Sequence, residues 1–200
     1  MSAPPRAIET SYGGCRFRSR LEARWAVFFD TLGIAWQYEP QGYVCHTRIT
    51  RAPDGLQFPY LPDFWLGIGV HAEVKGHLTP GGYGRLIDAA ACLENLLVCG
   101  EIPARIRRSP GDPTFKSPTW LRMHKGGVYA SAWPDGENFS HGSPHDRELA
   151  NDAPEWVETP EYGIGWLVHG STNLVPPRVE RAFDAARSAR FEHGQSGGPR

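Results

Sequence analysis

The chain is predicted to fold as a mixed α/β domain, with a central mixed β-sheet flanked by helices. Three observations in its 200 residues carry that expectation. Leu21, Trp25, Phe28, Phe29 and Leu32 recur at helical spacing and form one broad apolar face. Short β-type segments punctuated by Pro and Gly follow from Ile34 to Gly76. A second helical period then leads into a β-branched run ending near Ile102. The resulting order of helix, three strands, helix, strand suits helices packed on a mixed sheet.

Taken in order, Met1 to Gly14 is polar and contains proline, and reads as a flexible lead-in. The first helix has Ser19 as its N-cap, Glu22 at the capping-box position and Gly33 as its stop. Ile34 to Thr47 reads as one strand interrupted by Pro40 and Gly42, at an edge or bulge. Arg48 to Gln57 is a polar loop around Pro53, Asp54 and Gly55. Phe58 to Gly76 reads as a hairpin of two strands, Tyr60 to Leu66 and Val70 to Lys75, turning at Gly67 to Gly69. His77 to Gly84 is a glycine-rich turn, Arg85 to Leu97 a helix and Leu96 to Ile102 a buried strand. Beyond a basic Pro/Gly-rich excursion (Pro103 to Ser117), Gly127 to Trp133 is a further strand. Pro134 to Pro160 reads as acidic loop and Tyr162 to His169 as a short strand. Pro177 to Glu192 is an amphipathic helix expected to cap the core, and a disordered tail follows.

Composition excludes little about partners but bounds the class. Lys and Arg number 21 against 22 Asp and Glu, so the chain has no overall basic or acidic bias. The distribution is less even: Arg16, Arg18, Arg20 and Arg24 cluster near the start, which permits a local basic surface. The four cysteines lack C-x-x-C spacing, so zinc-knuckle and disulfide frameworks are not expected; they read as reduced, packed thiols. With no signal peptide visible and no membrane-length apolar run, the expected location is cytoplasmic. No His-x-x-x-His pair lies on a convincing helix, which sets aside a histidine-metal site.

Three charges stand in the apolar hairpin: Asp63, Glu73 and Lys75. Side chains alternate along a strand, so Glu73 and Lys75 project from the same face. Charges in a buried sheet are costly unless paired or ligated. A cross-strand salt-bridge cluster on a solvated face is the simple alternative. Glu22, on the first helix, reads equally well as a helix-cap partner or as a fourth member of the group. Glu39, before Pro40, reads first as an edge-strand charge.

The Pro62-Asp63 pair, nine intervening residues and then Glu73-Val74-Lys75, with Glu22 on the preceding helix, resembles the PD-(D/E)XK nuclease superfamily. The segments F-R-S-R-L-E-A-R-W-A and Y-L-P-D-F-W-L look most like its small phage and mobile-element endonucleases, resolvase-like or transposon-end-nuclease-like. The resemblance spans Phe17 to about Ile102. It implies a restriction-endonuclease-like core of order αβββαβ. The chain then divides into a flexible segment (1–16), a nuclease core (17–133) and a C-terminal extension (134–200).

The implied activity is metal-dependent hydrolysis of DNA phosphodiester bonds. Asp63, Glu73 and the Val74 backbone carbonyl would hold Mg²⁺, with Mn²⁺ able to substitute, and Glu22 would assist directly or through water. Clustered carboxylates repel one another and so invite a cation. The cation generates a nucleophile and stabilises phosphoryl charge. Lys75 would position water and neutralise developing charge. Arg16, Arg18, Arg20 and Arg85 are the expected contacts to the nucleic-acid backbone. Related folds often dimerise, so a homodimer is compatible. The alternatives are a non-catalytic DNA-binding or assembly module on the same fold, and an RNA-directed nuclease.

Overall fold

The computed structural model describes residues 7–47, 55–67, 69–76, 80–102, 119–124, 127–132, 138–141 and 177–191. In chain order their elements are β1 (Thr10–Tyr12), β2 (Cys15–Phe17), α1 (Arg20–Leu32), β3 (Trp36–Tyr38), β4 (Tyr43–His46), β5 (Gln57–Tyr60), β6 (Phe64–Leu66) and β7 (Val70–Val74). Then come α2 (Pro80–Leu93), β8 (Asn95–Cys99), β9 (Thr119–His124), β10 (Gly127–Ala132), β11 (Asn138–His141) and α3 (Pro177–Ser188).

Among the described residues, seven strands form one mixed sheet in the order β11-β10-β9-β8-β7-β6-β3. The pair β7–β8 is parallel, and the other neighbours in the sheet are antiparallel. The parallel pair follows from connectivity, because α2 crosses over between β7 and β8. The strands β1–β2 and β4–β5 form separate two-stranded hairpins.

Alternation along the central strands divides the interior in two. Val70, Ala72 and Val74 of β7, with Leu97 and Cys99 of β8, face a core supplied by α1 and α3. Leu96 and Val98 face the other way, against Leu86, Ile87 and Ala90 of α2 and against Cys45 and Tyr60 of the β4–β5 hairpin. The first core is aromatic. Phe64 is fully buried, its ring centroid 5.5 Å from Phe29 and from Tyr38, 5.7 Å from Trp36 and 6.0 Å from Phe17. Phe183 of α3 stacks 4.5 Å from Phe28 and 6.1 Å from Trp25. The carboxyl-terminal helix thus returns to cap the core, as its apolar face requires.

Helix α1 begins and ends where its sequence dictates. The Ser19 Oγ accepts the Glu22 N–H at 3.2 Å and donates to Glu22 Oε1 at 2.8 Å, a reciprocal cap. Gly33 adopts φ 73°, and its N–H reaches the Asp30 carbonyl at 2.9 Å.

Several boundaries differ from the expectations. The stretch Ile34 to Thr47 is not one strand. Glu39 takes a left-handed backbone (φ 46°) and Pro40 has no N–H, so the chain leaves the main sheet after β3 and re-forms as β4 beside β5. The expected strand Tyr60 to Leu66 divides at Pro62-Asp63 into β5 and β6. The flexible lead-in 1–16 gives way, from Thr10 onward, to the β1–β2 hairpin. Gly13 and Gly14 (φ 57° and 81°) make its turn, and the buried Tyr12 hydroxyl donates to Asp30 Oδ2 at 2.8 Å. From Pro80 onward the glycine-rich segment expected as a turn belongs to α2, which ends before Glu94 (φ 66°), and residues 77–79 lie outside the described residues. Strand β9 has no counterpart among the expected elements, and β11 lies in a segment expected as loop. The expected strand Tyr162 to His169 and the tail lie outside the described residues.

The cysteines require a correction as well. Cys45 of β4 and Cys92 of α2 form a disulfide with Cα atoms 5.5 Å apart, while Cys15 and Cys99 are free. Packing of the hairpin on α2 joins two residues that are 47 apart in sequence, a proximity no local spacing reveals. Among the described residues, no helix is long and apolar enough to cross a membrane.

Phe64→Ala removes the ring around which Phe17, Phe29, Trp36 and Tyr38 are arranged. It should lower unfolding free energy by about 3–5 kcal/mol in urea titrations, the usual cost of an aromatic cavity.

Candidate active site

The site lies where the carboxyl end of β7 meets the start of β6 and the N-terminus of α1. The β6–β7 ladder pairs Phe64 with Ala72. One step further along it, Asp63 comes opposite Glu73, so antiparallel register brings the two carboxylates together. Both are buried, Asp63 at 2% and Glu73 at 5% exposure. Asp63 Oδ2 accepts the Val74 N–H at 2.7 Å, which ties the carboxylate to the strand that carries Glu73. Glu73 Oε2 accepts the Tyr60 hydroxyl at 3.0 Å across from β5. The second oxygen of each carboxylate carries a cation. Arg18 Nη2 lies 2.8 Å from Asp63 Oδ1, and Lys75 Nζ pairs with Glu73 Oε1. Lys75 is held in place by its own N–H, which donates to the Cys99 carbonyl at 2.8 Å.

Arg18 also contacts Glu39 Oε1 at 2.6 Å. The left-handed turn at Glu39 delivers that carboxylate, and its backbone N–H donates to the Asp63 carbonyl at 2.9 Å. Glu22 stands beside the group but is engaged in capping. Oε1 accepts from Ser19, and Oε2 accepts the Tyr38 hydroxyl at 2.6 Å and the Arg18 N–H at 3.1 Å. Its hydrogen bonds are two at the cap, with the Ser19 hydroxyl and the Arg18 N–H, and one from the Tyr38 side chain of β3.

Other expected contacts disperse. Arg16 pairs with Glu9 at the surface, and Arg20 is exposed at the start of α1. Arg85 donates to the Pro59 carbonyl at 2.8 Å and lies 5.0 Å over the Phe58 ring, bracing the β5 hairpin against α2. Two groups that sequence reasoning missed are Tyr38 and Tyr60. Nothing local marks either one, because each meets its carboxylate across separate elements. His71 shares the Glu73 side of β7 and is hydrogen-bonded to the Tyr43 hydroxyl at 2.9 Å.

The electrostatics follow from burial. Desolvation, then the neighbouring Glu73 charge, pushes the Asp63 carboxyl up to about 7, against the Val74 N–H and Lys75, which pull it down. Burial and the Glu73 carboxylate raise the Tyr60 hydroxyl well above its ordinary range. Burial, then Asp63 and Glu73, likewise raise the Cys99 thiol. Four carboxylates (Glu22, Glu39, Asp63 and Glu73) stand against two cationic side chains (Arg18 and Lys75). Carboxylate oxygens in excess of cations are the hard donors a divalent cation takes. Among the described residues, no group of three or more His, Cys, Asp or Glu side chains is arranged to hold a metal.

Comparison with known proteins finds no matching family model, no matching curated protein and no matching solved structure.

The raised Asp63 carboxyl has a signed consequence for stability. Its folded value of about 7 exceeds the ordinary 3.8, so the folded state holds the extra proton between those values. Stability in chelator should fall as pH rises through that window, and Asp63→Asn should flatten the fall. Urea midpoints measured across the window for both proteins check this.

Proposed function

We propose that the chain is a metal-dependent DNA endonuclease hydrolysing phosphodiester bonds on a restriction-endonuclease-like core of the PD-(D/E)XK type. The observation that carries the reading is the buried Asp63–Glu73 pair, joined through the Val74 N–H with Lys75 against Glu73. Element order supports it. Helix α1, strands β3, β6 and β7, helix α2 and strand β8 follow the order expected for that core, and the β4–β5 hairpin is inserted after β3.

On this reading Asp63, Glu73 and the Val74 carbonyl would hold Mg²⁺ or Mn²⁺, which when bound would supply Lewis acidity toward the phosphoryl oxygens and lower the pKa of a water near neutral pH. Asp63 is aimed by the Val74 N–H and Glu73 by Tyr60, so each presents one fixed oxygen to the backbone or hairpin and one outward. Lys75, half-exposed beside Glu73, brings a positive charge to the attacking water and the departing oxygen. Glu22 supports from behind by fixing Tyr38 and the Arg18 backbone. The hydrophobic layers on both sides of β7 and β8 keep this end of the sheet rigid.

Plasmid, branched DNA and RNA incubated with Mg²⁺, Mn²⁺ or chelator test the proposal. DNA cleavage should require the metal, and Asp63→Asn and Lys75→Ala should each slow it by about a hundredfold or more. Cleavage that survives both substitutions would remove these residues from the reaction. Tight DNA binding without cleavage would favour a binding module, and preferential RNA cleavage an RNA-directed nuclease.

A further inference from the structure

Each carboxylate of the central pair is divided in the same way. One oxygen is anchored by a neutral donor that cannot leave without disturbing the fold: the Val74 N–H for Asp63, and the buried Tyr60 hydroxyl for Glu73. The other oxygen is held by a long cationic side chain that reaches solvent, Arg18 at 60% and Lys75 at 39% side-chain exposure. Arg18 is the more exposed of the two. It precedes α1, and its backbone N–H makes the bonds to Glu22 and Tyr38 that secure the helix start, while its side chain also meets the Tyr38 hydroxyl. Its contacts to Asp63 and Glu39 both run through Nη2, so one nitrogen of a fork suited to bidentate recognition serves two separate carboxylates.

From this geometry we infer that Arg18 is an exchangeable counter-ion: it occupies Asp63 Oδ1 while the site lacks a divalent cation, is displaced when the cation binds, and then grips a substrate phosphate. The inference rests on the nuclease reading for its substrate and adds the coupling between metal and nucleic acid. A guanidinium and a divalent cation cannot share Asp63 Oδ1 without charge repulsion, and displacement needs only a side-chain rotation at the surface. The released fork then stays on the solvent-exposed side of the site, where a polyanion approaches. Phosphate is the anion whose geometry it matches in two-point contact. In the resting protein the same residue limits repulsion between Asp63 and Glu39. Arg18 is thus a competitor for the metal and a partner for the substrate, two roles of opposite sign.

Arg18→Gln separates them. Mn²⁺ binding without nucleic acid, followed by electron paramagnetic resonance, should tighten about two- to fivefold, the release expected when a half-exposed ion pair stops competing. Duplex DNA binding with Ca²⁺ present, followed by fluorescence anisotropy, should weaken several-fold, with the salt slope smaller by about 1. Coincident Mn²⁺ isotherms, weaker Mn²⁺ binding by the variant, or unchanged DNA affinity would each overturn the inference. Should the variant not fold, the native protein gives the same decision: Mg²⁺ must shift the Arg18 Nε–Hε resonance, and a resonance unmoved at saturating Mg²⁺ rejects displacement. Failure of the nuclease reading looks different, because native protein would then bind Mn²⁺ yet cleave none of the substrates.

Discussion

The Val74 N–H bound to Asp63 Oδ2 is the contact on which the rest of the site depends. Asp63 sits between two strands, just before β6, with almost no access to water. A carboxylate in that position needs compensation, or it takes up a proton. The hydrogen bond from the neighbouring strand supplies part of it and sets the orientation of the side chain. It also fixes the distance between Asp63 and Glu73, since Val74 follows Glu73 directly. Arg18 and Lys75 then attach to the oxygens left over. Their placement is a consequence of how the carboxylates are already held.

That arrangement is rigid because it is built between two cores. The α1 and α3 side fixes Val74 and the backbone of β7, and the aromatic cluster around Phe64 locks β6 immediately after Asp63. The α2 side fixes Tyr60 and with it the far oxygen of Glu73. The β4–β5 hairpin would otherwise be a two-stranded ribbon of marginal stability. It is tied to α2 by the Cys45–Cys92 disulfide, by Arg85 on the Pro59 carbonyl and by the packing of Tyr60 against that helix. An inserted hairpin has thereby become part of the wall of the site.

How much of this could be read from the chain depends on whether the cause is local. The cap of α1, its apolar face and its glycine stop are decided within a few residues, and all three were legible. So were the strand Gly127 to Ala132 and the amphipathic helix from Pro177, each carried by its own periodicity. The alternation of β7 placed Glu73 and Lys75 on one side, and their pairing follows. The break at Glu39 was half legible. Pro40 announced an interruption, but a left-handed glutamate that sends the next strand into a different sheet is stabilised by the distant Asp63 carbonyl and Arg18.

The sequence by itself determined the mixed α/β class of the fold, its first helix and the three charges worth explaining, because those depend on spacing of two to four residues. Tertiary structure alone decided who meets whom. It gave Glu22 to the helix cap and Tyr38, Tyr60 to Glu73, Arg18 to Asp63 and Glu39, and Cys45 to Cys92. Each of those contacts joins residues from different elements, and its energy exists only once the sheet, both cores and the inserted hairpin are assembled.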